Sequence, residues 1–137
     1  MQNNQLKQLI DTSSRIILKV GSSLLINENN NDINYQWLKK FSKEIQSLTD
    51  KKKQIMIVSS GSVALGRKQL NLVKNLSLDE KQAAAAVGQI HLSHAWKEVL
   101  KSFNLESAQI LLAPDDTETR RKHLNARATL LKLLQLN

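Results

Sequence analysis

Lys19 stands two residues before the turn Gly21-Ser22-Ser23, and a second turn, Ser60-Gly61-Ser62, repeats the pattern of a glycine among hydroxyls. Glycine lets the backbone turn sharply and lets a ligand approach it closely. A lysine, exposed backbone amides and small hydroxyls are what phosphoryl transfer asks of a protein. That chemistry depends on positioning and charge neutralisation more than on covalent catalysis. A carboxylate acceptor is already ionised near neutral pH, so no general base is required, and none is evident beside these turns.

Each turn closes a continuous apolar run. The first is Ile16-Ile17-Leu18-Lys19-Val20 and the second Gln54-Ile55-Met56-Ile57-Val58-Ser59. Runs without alternation suit parallel strands covered on both faces, and ligands of open α/β sheets sit beyond the carboxyl ends of such strands. The two turns therefore read as two walls of one site. Lysine is rarely buried without a partner. The bland alternative for Lys19 is a side chain that snorkels to the surface.

The remaining elements follow from periodicity and caps. Asn27 to Asn34 reads as a polar, Asn-rich, mobile loop. Trp37, Leu38, Phe41, Ile45 and Leu48 recur at three- and four-residue steps and predict an amphipathic helix over Tyr35 to about Thr49. A short helix over Val63 to Leu70 would aim its free N–H groups at the second turn, a natural anion site. Ser77 or Asp79 caps a long helix running to about Phe103. Its Ala83-to-Gly88 stretch of small residues permits close approach of another element. Ala108 to Ala113 reads as a third strand stopped by Pro114, and a last helix runs from about Thr119 to Gln135. Strands alternating with helices predict an α/β fold with a parallel sheet.

With 137 residues, 41% hydrophobic and 23% charged, the chain fits one globular domain. No apolar stretch is long enough to span a membrane, residues 1–13 lack the apolar core of a secretory signal, and there is no cysteine. A cytoplasmic protein is the simplest reading. The net charge of +8 invites a nucleic-acid role. However, Arg120-Arg121-Lys122 follows Asp115, Asp116 and Glu118, and one Tyr with two Phe supply a poor stacking platform. A small basic α/β protein that binds nucleic acid or a protein partner without catalysis is the second hypothesis.

Other chemistries fail on spacing. Gly61 to Lys68 follows a strand, but Arg67 and Lys68 occupy the places where a P-loop needs Lys and then Ser or Thr. His91, His94 and Glu98 share a helix face, yet three ligands from one helix converge poorly on a metal ion. No serine lies in a nucleophile-elbow pattern.

Four stretches together carry a family resemblance. They are Leu18-Lys19-Val20-Gly21-Ser22-Ser23, Ile57 to Gly66, Gln82 to Gln89, and Leu124 to Leu130. In this order they resemble the glutamate 5-kinases, within the amino-acid kinase family, from about Arg15 to the last residue. The resemblance implies a three-layer α/β/α sandwich with a mainly parallel sheet. It also implies ATP-dependent phosphorylation of the L-glutamate side-chain carboxylate to glutamyl 5-phosphate, the first step of proline synthesis. Carried over by motif, Lys19 contacts the nucleotide phosphates and stabilises the moving phosphoryl group. Gly21, Ser22 and Ser23 line the phosphate side, and Ser60, Gly61 and Ser62 hold glutamate. Magnesium accompanies ATP, and the complete enzyme is expected to be a homo-oligomer. The Ala-rich stretch and Leu124 to Leu130 read as packing or subunit contact. Residues 1–14 read as a polar extension and 15–137 as the first part of the kinase domain. The family's following Asn-Glu-Asn-Asp motif and nucleotide pocket lie outside this sequence, so the chain alone is expected to be inactive. Ala113-Pro114 stands where the family pattern has Thr and a non-proline residue.

Overall fold

The computed structural model describes residues 2–27, 29–73 and 75–136, with residues 2 and 3 described by backbone alone. The elements are α1 (Gln2–Thr12), β1 (Arg15–Val20), α2 (Ser22–Leu25), β2 (Ile26–Asn27), β3 (Asp32–Ile33), α3 (Tyr35–Asp50), β4 (Gln54–Ser59), α4 (Ser62–Gln69), α5 (Leu78–Lys101), α6 (Asp115–Glu118) and α7 (Arg120–Gln135). The polar leader is therefore helical. Its Leu6 and Leu9 are exposed, and Lys53 donates from Nζ to the carbonyls of Asp11 in its last turn and Ser13 just beyond it.

β1 and β4 pair in parallel, in register from Arg15 opposite Gln54 to Val20 opposite Ser59. The alternation of side chains along a strand splits this ribbon into two faces. Ile16, Leu18 and Val20 share one face with Ile55, Ile57 and Ser59. Leu18, Val20, Ile55 and Ile57 join a core with Leu38 and Ile45 of α3 and Leu92, Trp96 and Val99 of α5. Trp37 stacks on Phe41 at 4.7 Å, and Phe41 meets the Trp96 ring edge-on at 6.2 Å. The other face carries Arg15, Ile17 and Lys19 with Gln54, Met56 and Val58. There α7 covers one end, where Gln54 donates to the Leu134 carbonyl at 2.7 Å and Leu134 is buried. Helices thus lie on both faces of parallel strands, in three layers. The cover of the second face is partial: Ile17 and Val58 remain 62% and 54% exposed.

Two expectations are corrected. Ala108 to Ala113 forms no strand. Neither β1 nor β4 pairs with it, and Leu111 and Leu112 are exposed. Strand propensity needs a ladder partner to become a strand, and no described residue supplies one. The Asn-rich segment is also more ordered than its composition implies. β2 and β3 pair antiparallel, Ile26 opposite Ile33, and the connection closes through Asn side chains. The Asn27 Oδ1 accepts from the Asn29 amide, and the Asn30 Oδ1 accepts from the Asp32 amide. Asn31 takes a φ of 51°. Asn suits such a turn because its side chain replaces missing backbone bonds and it tolerates the left-handed region.

Side-chain caps account for the starts of α3 and α5. Asn34 accepts from the Trp37 amide at α3. At α5 it is Ser77, not Asp79, that caps: Ser77 and Glu80 form a reciprocal capping box. Within α3, Ser42 is fully buried and its Oγ has no hydrogen-bond partner among the described residues. A buried hydroxyl with no partner costs roughly 1–3 kcal/mol of desolvation. Ser42→Ala is therefore expected to raise the unfolding free energy by about 1 kcal/mol in urea titration. A loss of stability of that size would show that the hydroxyl is satisfied in solution.

Candidate functional site

Both turns emerge at the same end of the β1–β4 ribbon, as parallel pairing requires. The first begins at Gly21, with φ −76° and ψ 156°, and continues as the single helical turn α2. A Cβ at Gly21 would meet only the Ser23 Oγ at 3.8 Å. Glycine here satisfies no internal demand of the fold, and it leaves open space at the strand end. Gly61 is different. Its φ is +121°, and a Cβ there would crowd the Ile26 Cγ1 at 3.1 Å and Cδ1 at 3.3 Å. The backbone conformation demands glycine at the second turn, and the space beside it is tight.

Ser60 stitches the two turns together. Its amide donates to the Val20 carbonyl at 3.1 Å, and its hydroxyl reaches the same carbonyl at 3.3 Å. One residue earlier, the Ser59 Oγ accepts from the Trp96 indole at 3.0 Å, tying the strand end to α5. The Leu65 amide donates to the Gly61 carbonyl, so α4 starts directly from the turn.

An open pocket beside the second turn has a volume of about 480 Å³ and is lined by Ser22, Ser59, Ser60, Gly61, Ser62, Val63, Ala64 and Arg67. Four of the residues singled out in the sequence meet there: Ser22, Ser60, Gly61 and Ser62. Gly21 and Ser23 lie next to this lining without being part of it. Lys19 lies outside it, exposed on the partly covered sheet face and in register with Val58. A separate seam of about 290 Å³ beneath α7 is lined mostly by apolar side chains, among them Met56, Leu112 and Leu130. It lies away from both turns.

Sequence reasoning missed Arg67 as a wall of this pocket. The signal was available, because Val63 and Arg67 are four apart on a helix and so share a face. Arg67 is held from outside: its Nη2 donates to the Asn31 Oδ1 at 2.8 Å. Beside it, the Lys68 Nζ bonds the Asp32 Oδ2 at 2.5 Å. The β2–β3 hairpin thus clasps the far side of α4 with two adjacent contacts.

The hydrogen bond from Lys68, and after it that from the Ile33 amide, holds the Asp32 carboxyl below the usual carboxylate range. A carboxyl lowered on folding stabilises the fold above its unfolded pKa, and that contribution disappears as pH falls through the folded value. The pair is half exposed, so its worth is small, about 0.2–1 kcal/mol. Asp32→Asn is expected to cost that much at pH 7 and progressively less as the pH falls through the folded value and the carboxyl loses its charge. Unfolding titrations across the acid range check it; a cost that does not change with pH would assign the effect to packing.

The helix that carries the pocket wall is seated by α5. A Cβ at Gly66 would overlap the Ala84 carbonyl, and one at Gly88 would overlap the Ser62 carbonyl. The small-residue stretch is therefore where α4 and α5 touch backbone to backbone, and it sets the position of Ser62.

The model of the amino acid kinase family matches residues 14–137. The chain belongs to the amino acid kinase family. Glutamate 5-kinase of Paramagnetospirillum magneticum is 46% identical over 124 residues, 90% of this chain and 34% of the relative. Glutamate 5-kinase of Rhodopseudomonas palustris strain BisB5 is 49% identical over 122 residues, covering 88% of this chain and 32% of the relative. The chain spans about a third of the length of these curated relatives. Family membership and the α/β fold agree with the sequence reading, and among the described residues no helix is long and apolar enough to cross a membrane.

Proposed function

We propose that this chain supplies the acceptor wall and part of the phosphate wall of a kinase that transfers the γ-phosphoryl group of ATP to the side-chain carboxylate of L-glutamate. The observation that carries this reading is the stitching of two glycine–hydroxyl turns at the ends of adjacent parallel strands, with a serine-lined pocket at the second. In the reaction a carboxylate oxygen forms the new bond to phosphorus, and the bond from phosphorus to the bridging oxygen breaks. The products are glutamyl 5-phosphate and ADP.

The roles divide between the two turns. Gly21, Ser22 and Ser23 receive the phosphates, where an open backbone and hydroxyls can donate to anionic oxygens. Lys19, two residues upstream of the first turn, offsets charge that develops on the phosphoryl group. Ser60, Gly61 and Ser62 hold glutamate. Magnesium, brought by ATP, would neutralise phosphate charge. The pocket lining holds hydroxyls and one guanidinium but no carboxylate, a donor set suited to an anion. Hence no residue of that lining is assigned to the metal.

The test is a chimera in which residues 14–137 replace the matched third of the Paramagnetospirillum magneticum relative. It is expected to form acyl phosphate from ATP and L-glutamate, and absence of turnover from a folded chimera counts against the reading. Ser60→Ala in that chimera should raise the glutamate KM about tenfold, because a substrate group left unpaired costs about 1–3 kcal/mol. The ATP KM should hardly change. A rise in the ATP KM with glutamate unaffected would reverse the two walls.

A further inference from the structure

Arg67 is the one charged side chain among the residues lining the serine pocket. It projects from the second turn of α4, beyond Ser62, Val63 and Ala64, which line the same pocket. One N–H of its guanidinium is used by the Asn31 carboxamide. Guanidinium has five N–H donors in a planar fork, so a bidentate contact to a carboxylate remains available after that bond. Asn31 is itself held: its amide donates to the Asn27 carbonyl at 2.8 Å, and the neighbouring Lys68–Asp32 pair pins the hairpin to α4. The cation is thus oriented by the hairpin and partly shielded from water, a setting that strengthens a charge-assisted hydrogen bond.

We propose that Arg67 is the specificity-determining residue of this pocket and that it pairs with the backbone carboxylate of an amino-acid acceptor, with Asn31 as its positioning residue. The inference rests on the kinase reading above and deepens it. The acceptor of that reaction carries two carboxylates. A fork bound to the reacting one would occupy both oxygens, including the one that must attack phosphorus. The carboxylate at Arg67 is therefore the one that does not react. Its partner, the side-chain carboxylate, is left to reach toward the first turn, where Lys19 and the phosphate wall lie. Specificity for an α-amino acid over a simple acid then comes from the clasped arginine, and Ser60 and Ser62 supply the neutral contacts.

Three probes separate the two carboxylates in isotope-edited NMR titrations of the 137-residue chain. L-Glutamate has both carboxylates, L-glutamine keeps only the backbone one, and 4-aminobutyrate keeps only the side-chain one. Glutamate and glutamine are expected to shift the amides of Ser60 to Ala64. Arg67→Gln should weaken both about tenfold and leave 4-aminobutyrate unchanged. Arg67→Lys, which keeps the charge and loses the fork, should fall between, and Asn31→Ala should weaken glutamate by about threefold. Circular dichroism of each variant checks that α4 persists. Glutamate shifts that Arg67→Gln leaves intact overturn the proposal while the kinase reading stands. Equal weakening of 4-aminobutyrate overturns it as well, by removing the distinction between the carboxylates. Absence of any shift with glutamate and glutamine in the unsubstituted chain overturns it too, and the kinase reading is then judged separately by the turnover of the chimera.

Discussion

Lys19→Ala in the chimera is expected to lower kcat by about two to three orders of magnitude, the size seen when one donor is removed from a site of developing charge. The glutamate KM should change by less than about threefold, because the charge is needed where the transition state differs from the ground state. The structure adds a second half to this expectation. Lys19 is exposed, and among the described residues its side chain makes no hydrogen bond or ion pair. Its removal should therefore leave unfolding within about 0.5 kcal/mol of the parent. A large effect on turnover with none on stability is the signature of a side chain kept for chemistry. Lys19→Arg should recover only part of the rate, since the planar fork does not replace a compact ammonium. Steady-state kinetics at varied glutamate, with parallel urea titrations, measure both halves. Unchanged kcat removes Lys19 from the mechanism. A kcat loss matched by a loss of stability would make it a structural residue.

Gly88→Ala is expected to destabilise the fold by about 3 kcal/mol or more, beyond the usual range for overpacking. On an exposed helix the same change stabilises by roughly 0.5–1 kcal/mol, so even the sign is diagnostic. At Gly88 the added carbon overlaps the Ser62 carbonyl and comes within 2.6 Å of the Gly66 amide nitrogen. Both are backbone atoms of α4 and cannot rotate away. The helix must lift from α5, carrying Ser62 out of the pocket wall. Gly21→Ala is the control. Its Cβ finds open space and its φ is ordinary, so stability should hold. Thermal unfolding of the three proteins is the measurement. A stabilised Gly88→Ala variant would mean that α4 and α5 are not in backbone contact.

Much of this was written in the chain locally. The continuous apolar runs ending at Gly21 and Gly61 specified parallel strands with small-residue turns. The stripe from Trp37 to Leu48 specified α3, and Ser77 with Glu80 specified the start of α5. These are short-range signals, carried by residues that touch within one element, and the structure agrees with them. Ala108 to Ala113 shows the limit. Its residues favour a strand, but a strand is a relation between two segments, and sequence preference cannot supply the second.

What only the tertiary structure decided is how the turns meet. Nothing in the spacing of Ser60 and Val20 announces that the amide and hydroxyl of one reach the carbonyl of the other. That follows from the parallel register of β1 and β4. Arg67 read as a failed P-loop position until α4 turned it into the pocket, and Asn31 read as part of a loop until the hairpin brought it 2.8 Å from that guanidinium. The sequence by itself determined the class of fold, the two turns and the kind of chemistry they suit, because those depend on residue type and local period. The shape of the pocket, its single cation and the backbone contact that seats its wall depend on distances between segments far apart in the chain, and only packing sets those.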